Sequence, residues 1–347
     1  MSWFVVDAVD VAFKRTRVAL LEPFAIWKWI KLAIIIALAS GGGGQGYNGP
    51  SSNSDFQDTS SLPFSEIPTL SSFIDQISIP DISWVIAAFI IILVLVLLFG
   101  YFASVMDLVL VESVTKNDVR FREYSAKFLR MGLDLFIVRL VLRIVYLGIF
   151  LMAALPLIMQ IVHNPSTNLL PLLIASSPSL IVVIIALSII SSIINSFIVL
   201  CIPIAMYSYT GFIESLERVI ANFRRDWKQM FVYWLGRMVL WALGSIAVVI
   251  LVLVLILIPI LLFSIIDAVI YFVLSMIIGE AAWIIIAPIA FIEIILLMLI
   301  SIMGAVPLRV FMKYHMLTFI EKWDPEMNIP LFDVLENRND LNDNIAV

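Results

Sequence analysis

Residues 231–263 read FVYWLGRMVLWALGSIAVVILVLVLILIPILLF, and after Arg237 nothing in that stretch carries a charge. A bilayer core about 30 Å thick is crossed by about 20 apolar helical residues, so this segment reads as a membrane span. Outward from it, further apolar segments of similar kind recur. Candidate spans fall at Phe24–Ser40, Trp84–Val111, Leu133–Val162, Leu180–Tyr207, Phe231–Phe263 and Trp283–Val306. Hydrophobic residues make up 62% of the 347 and charged residues 14%. That leaves too little polar surface to cover a water-soluble core. The expected fold class is therefore all-α, a polytopic membrane protein with six transmembrane helices.

The basic residues predict orientation. The 21 Lys and Arg fall in four clusters: five in Lys14–Lys31, seven in Lys116–Arg143, five in Arg218–Arg237 and four in Arg309–Arg338. Residues 32–115, 144–217 and 238–308 hold none. Each gap is long enough to cross, turn and return, so the positive-inside rule puts every cluster and both termini on the cytoplasmic side. The expected location is the plasma membrane. Nucleic acid is disfavoured as a partner, because the basic residues hug the membrane and the tail is acidic. Ala37-Leu38-Ala39 before Ser40-Gly41 resembles a signal-peptide cleavage site. Asp7, Asp10 and an amphipathic pattern precede it, so the segment is read as a retained first span.

The chain also suggests an internal repeat. An amphipathic basic helix is expected before spans 1, 3 and 5. In the first, Asp7, Asp10, Lys14 and Arg17 share one face and Val5, Val9, Ala12 and Phe13 the other. In the second, Phe121, Tyr124, Phe128 and Met131 oppose Arg120, Glu123, Lys127 and Arg130. In the third, Leu216, Ile220, Phe223 and Trp227 oppose Glu217, Arg224 and Lys228. Helices of this kind lie in the headgroup plane with the apolar face down. The expected organisation is one transmembrane domain, 1–308, made of three hairpin repeats at about 1–112, 113–209 and 210–308. An extracytoplasmic loop, 41–82, interrupts the first repeat, and a cytoplasmic tail, 309–347, follows the last. Residues 264–282 are mostly apolar and read as an interfacial or re-entrant helix.

Val6-Asp7-Ala8-Val9-Asp10, Pro23-Phe24, Trp29-Ile30-Lys31-Leu32-Ala33 and Gly41–Gly44 resemble the start of an uncharacterised archaeal membrane-protein family, a domain of unknown function. The repeated plan of basic helix and hairpin is also similar to the group containing the membrane domain of glycerophosphodiester phosphodiesterases. That likeness is architectural, and the soluble catalytic domain of those enzymes is absent here. The resemblance implies a location and a fold, not a mechanism.

Glu293 lies near the middle of the last span, with Pro288 freeing a backbone carbonyl one turn earlier. A carboxylate beside a helix break is a feature of ion and proton sites; the plainer reading is one protonated, buried Glu. Asp267 and Glu280 either join it in an acidic vestibule or cap a loop helix. Ser188, Ser191, Ser192, Asn195 and Ser196 share one face of span 4, which suits close helix packing or a wet lining. Asn195 is the expected partner of Glu293. Asp107 and Glu112 are expected to pair with Arg139 and Arg143. Arg120, Arg122 and Lys127, with Arg224, Arg225 and Lys228, form basic patches suited to anionic lipid headgroups.

Catalytic chemistry finds no support. The single cysteine, Cys201, lies in an apolar run, and His163 and His315 fall on opposite expected sides, so no metal and no cofactor is expected. No nucleophile elbow or phosphate-binding glycine loop is present. The expected function is a non-enzymatic membrane scaffold or accessory protein. Its expected partners are anionic lipid and a membrane or cytoplasmic protein. The alternative is a transporter or channel using Glu293.

Overall fold

The computed structural model describes residues 4–40, 79–163, 169–208, 211–325, 327 and 329–333; the side chains of 79–82, 160–179 and 280 lie outside that description. Among the described residues eight α-helices follow one another: α1 (Phe4–Leu21), α2 (Ile26–Ser40), α3 (Ile79–Lys116), α4 (Phe121–His163), α5 (Leu169–Tyr207), α6 (Phe212–Arg225), α7 (Trp227–Ile278) and α8 (Ala282–Trp323). Five of them are long and apolar enough to cross a membrane, and a sixth span results if α1 and α2, bent by 119°, count as one. The chain is a multi-pass membrane protein by helix length and hydropathy. Of the expected loop at 41–82, residues 41–78 with the glycine run fall outside the described residues, as do 334–347, while 79–82 are the first turn of α3.

The residues form two compact units. One comprises Met1–Leu38, Met106–Lys127 and Leu200–Val347, the other Ala39–Val105 and Phe128–Val199. In the second unit the outer parts of α3, α4 and α5 carry mostly exposed Ile, Leu and Val. Tyr101 holds α3 to α4, its ring edge-on to Phe136 at 6.2 Å and its hydroxyl donating to the Leu129 carbonyl at 3.2 Å. Ser196 on α5 donates to the Ser192 carbonyl within its own helix.

In the first unit α7 and α8 form a long antiparallel hairpin. At about 1.5 Å per residue the 52 residues of α7 run to about 78 Å, well beyond a hydrocarbon core of about 30 Å. Residues 264–278 simply continue α7, so the expected separate or re-entrant helix is not found there. The apolar run is uninterrupted, and Pro259 is absorbed inside the helix. The chain turns at Gly279, whose φ of 62° favours a residue without Cβ. A 3₁₀ turn, Gly279–Ala281, then leads into α8.

The buried core of this unit lies where the sequence turns polar. Helix α1 packs along α8 and α7, burying Val5, Ala8, Ala12, Arg15, Thr16, Ala19 and Leu20. Spacings of three and four put these on one stripe. Its small residues let the helices approach closely, whereas Phe13 stands 63% exposed. Val5 and Ala12 therefore face protein, not the headgroup plane as expected. Against them α8 buries His315, Phe319 and Trp323 beside Tyr233 of α7. The Tyr233 and Phe319 rings stack at 4.1 Å. On Tyr233's other partner, His315, Nε2–H donates to the Val5 carbonyl at 3.2 Å.

Two further expectations change. The second basic helix is not a separate element: nothing breaks the helix after Phe121, so its residues are the first turns of α4. Only α1 and α6 stand apart from the span that follows. Finally, α8 runs on through Arg309 to Trp323, so the boundary expected between 308 and 309 falls inside a helix.

Candidate functional site

At the basic end of the first unit, charge is mostly matched internally. Glu112 is 1% exposed and sits where the apolar run of α3 ends. It accepts from Lys116 at 2.8 Å, Lys127 at 2.9 Å and the Tyr207 hydroxyl at 2.9 Å. Three donors satisfy a carboxylate that would be costly to bury alone. Asp107 accepts from Lys313 at 2.6 Å. The Tyr314 hydroxyl donates to the Val114 carbonyl at 2.8 Å. These contacts tie the end of α3 to α4, α5 and α8.

The chain beyond α8 folds back on the same end. Asp324 accepts both a 2.7 Å and a 2.9 Å bond from Arg218 of α6, and Asn222 donates to it at 3.3 Å. Arg15, buried on α1, donates to Asp333 at 2.7 Å and to Thr318 at 2.7 Å. Met327, Ile329 and Leu331 between them are buried. The described part of the acidic tail is thus engaged within the protein.

The expected headgroup residues divide into two sets. Arg120 bonds Asp118 at 2.7 Å and Glu123 at 3.2 Å, and these carboxylates hold its pKa above the ordinary value. Arg225 meets Asp226 at 3.2 Å, and Lys127 is held by Glu112. By contrast Arg122, Arg224 and Lys228 are exposed, and none has a carboxylate partner among the described residues. The Lys228 ammonium instead stands 6.0 Å from the centre of the Trp227 ring.

Along the hairpin a second constellation appears. Asp267 on α7 and Glu293 on α8 are about equally far from the Gly279 turn, and their carboxyl groups come together across the hairpin. Two like charges brought together in an apolar setting repel, so the two carboxyl groups are electrostatically coupled. Asp267 also has a buried Oδ1 without a further partner. Around the pair Ile265, Ile292 and Ile294 are exposed. The partner of Glu293 is thus an acid on the neighbouring helix. Asn195, expected in that role, belongs to the other unit, where its Oδ1 is buried without a partner and Ser192 lies one turn away. Glu280 falls in the 3₁₀ turn.

Sequence reasoning missed most of the buried network. Asp107 and Lys313 are 206 positions apart, and Arg15 and Asp333 are 318. The one local signal was an ionisable residue closing an apolar run, as Glu112 does.

The chain belongs to the family of unknown function DUF7544, whose model matches residues 3–330. No curated protein and no solved structure matches it. The likeness in plan to the glycerophosphodiester phosphodiesterase membrane group therefore gains no support.

Proposed function

Proceeding from membership of a family with no assigned chemistry, we propose that this protein is a non-enzymatic membrane scaffold or accessory protein. Its basic end binds anionic lipid at the cytoplasmic face of the plasma membrane. The reading rests on Arg122 and Arg224, exposed and with no carboxylate partner among the described residues, while neighbouring basic residues are internally neutralised. A free guanidinium near the membrane surface attracts an anionic lipid by about 1 kcal/mol. The paired residues were counted with the free ones in the sequence reading; the pairing narrows the set to Arg122, Arg224 and Lys228. In native mass spectrometry of the purified protein, Arg122→Gln with Arg224→Gln lowers retention of anionic lipid, whereas Arg120→Gln leaves it nearly unchanged. Equal retention in both variants overturns the proposal.

The Asp267–Glu293 pair favours a second reading, transport of a proton or cation along the α7–α8 hairpin. Such a site needs a carboxylate that gains and loses a charge within the membrane. In liposomes that reading predicts a proton- or cation-dependent flux abolished by Glu293→Gln. A flux that is absent, or indifferent to the substitution, removes it.

A further inference from the structure

We propose that α6 is an in-plane docking helix that inserts one apolar row into an anionic lipid leaflet, with Asp324 fixing its rotation. The proposal rests on the reading that the basic end engages anionic lipid, and it names the surface and the partner.

Helix α6 has three sides rather than two. Phe212, Ser215 and Val219 are buried against the protein. Glu214, Glu217 and Ala221 form an exposed polar sector. Between these, Ile213, Leu216, Ile220 and Phe223 recur at spacings of three and four, so they share a side. The row's outer edge is open: Ile213 is 71% exposed, Ile220 is exposed, and Trp227, which continues the row across the break at Asp226, is 55% exposed, while Leu216 and Phe223 are half-buried.

What covers it follows from continuity and charge. Beyond Trp227 the same exposed surface passes into Phe231, Leu235 and Met238 of α7, the start of a membrane-spanning stem. A row that merges with a lipid-facing stem meets the same lipid, at the depth where the stem enters. Arg224 flanks the row and Lys228 sits beside Trp227, neither matched by a carboxylate among the described residues. Long basic side chains at that depth reach up to phosphate while their stems stay on apolar surface. The leaflet in contact is therefore anionic.

Asp324 sets the angle at which the row meets the membrane. Its two bonds to Arg218 and one from Asn222 grip α6 on the edge away from Ile213 and Ile220. A two-point grip on a guanidinium resists rotation in a way that a single contact does not. Asp324 is accordingly a positioning residue.

The test uses the full chain. Cys201 is the one cysteine and is buried, so Cys201→Ala gives a background for single spin labels. Labels at Ile213, Ile220, Glu217 and Ala221 are read in vesicles of phosphatidylcholine alone and of phosphatidylcholine and phosphatidylglycerol in equal parts. In the mixed vesicles the labels at 213 and 220 are reached by oxygen and shielded from a water-soluble nickel chelate, and those at 217 and 221 show the reverse. Arg224→Gln with Lys228→Gln, or removal of phosphatidylglycerol, moves the first pair toward water. Asp324→Asn reduces the contrast between 220 and 217. Nickel access at 213 and 220 in the mixed vesicles, or insertion of equal depth in both vesicle types, overturns the proposal. Lipid retention measured on the same samples reports separately on the basic end as a whole, so docking can fail while headgroup binding stands.

Discussion

The two ends of the α7–α8 hairpin are built from opposite materials. From Met238 to Leu299 the helices are almost wholly Ile, Leu, Val, Ala and Phe, and most of those side chains are exposed. Below that, where Arg237, Lys313, His315 and Asp324 enter, the buried residues gather: Tyr233 of α7 with the unbroken run 314–320 and Trp323 of α8. In water the ranking would be reversed. In a bilayer, apolar surface gains little from leaving lipid, so helices there associate through close packing and polar contacts. In this unit hydrophobicity marks the solvent, and the polar end marks the core.

Trp323→Ala tests the buried end at its strongest point. Trp323 is 2% exposed and stacks on Phe319 at 5.8 Å, so truncation costs roughly 3–5 kcal/mol. Equilibrium unfolding in lipid nanodiscs measures it. A loss below about 1 kcal/mol would show that the polar end is not where this unit is held together.

An intermediate effect is expected where the two helices of the hairpin touch. A Cβ on Gly304 would lie 2.5 Å from Val252 Cγ2, closer than any packed pair tolerates. Gly304→Val therefore forces α7 and α8 apart and costs about 1–3 kcal/mol. Gly148 on α4 meets nothing within 4 Å, so Gly148→Ala is the control and should be neutral or stabilising by about 0.5–1 kcal/mol. If the two substitutions behave alike, the hairpin is not closely packed at Gly304.

What was legible in the sequence follows from the same contrast. Spans show as runs of apolar residues because lipid selects composition locally, and five of the six expected segments lie within the five helices long enough to cross; the first, Phe24–Ser40, falls mainly on the 15-residue α2, which spans only together with α1. The faces of the basic helices were only half legible. Periodicity placed Leu216, Ile220 and Phe223 together, but it cannot say whether lipid or protein covers an apolar row. On α1 the middle of the stripe that meets protein is Ala8, Ala12, Arg15, Thr16 and Ala19, and hydrophobicity ranks these below the exposed Phe13. The pairing of Asp267 with Glu293 was hidden for another reason. It depends on α7 continuing to Ile278, and residues 264–282 gave no sign of whether they extend a helix or turn back. Asp324 and Asp333 looked like a solvated tail because their partners, Arg218 and Arg15, lie far upstream.

The smallest effect is expected in the stem, and there the comparison is most easily broken. Ile258 is 67% exposed on α7, one residue before Pro259. If lipid is what it touches, Ile258→Ala exchanges one lipid contact for a smaller one and leaves no cavity in the protein. The cost is then within about 0.5 kcal/mol, the range of substitutions that disturb no packed neighbour. The same nanodisc unfolding measurement applies, with Trp323→Ala as its reference. A loss approaching that of the Trp323 variant would mean that Ile258 meets another protein surface in the membrane, a second copy or a partner span. The stem would then be an interface, and exposure along α7 would no longer separate solvent from core.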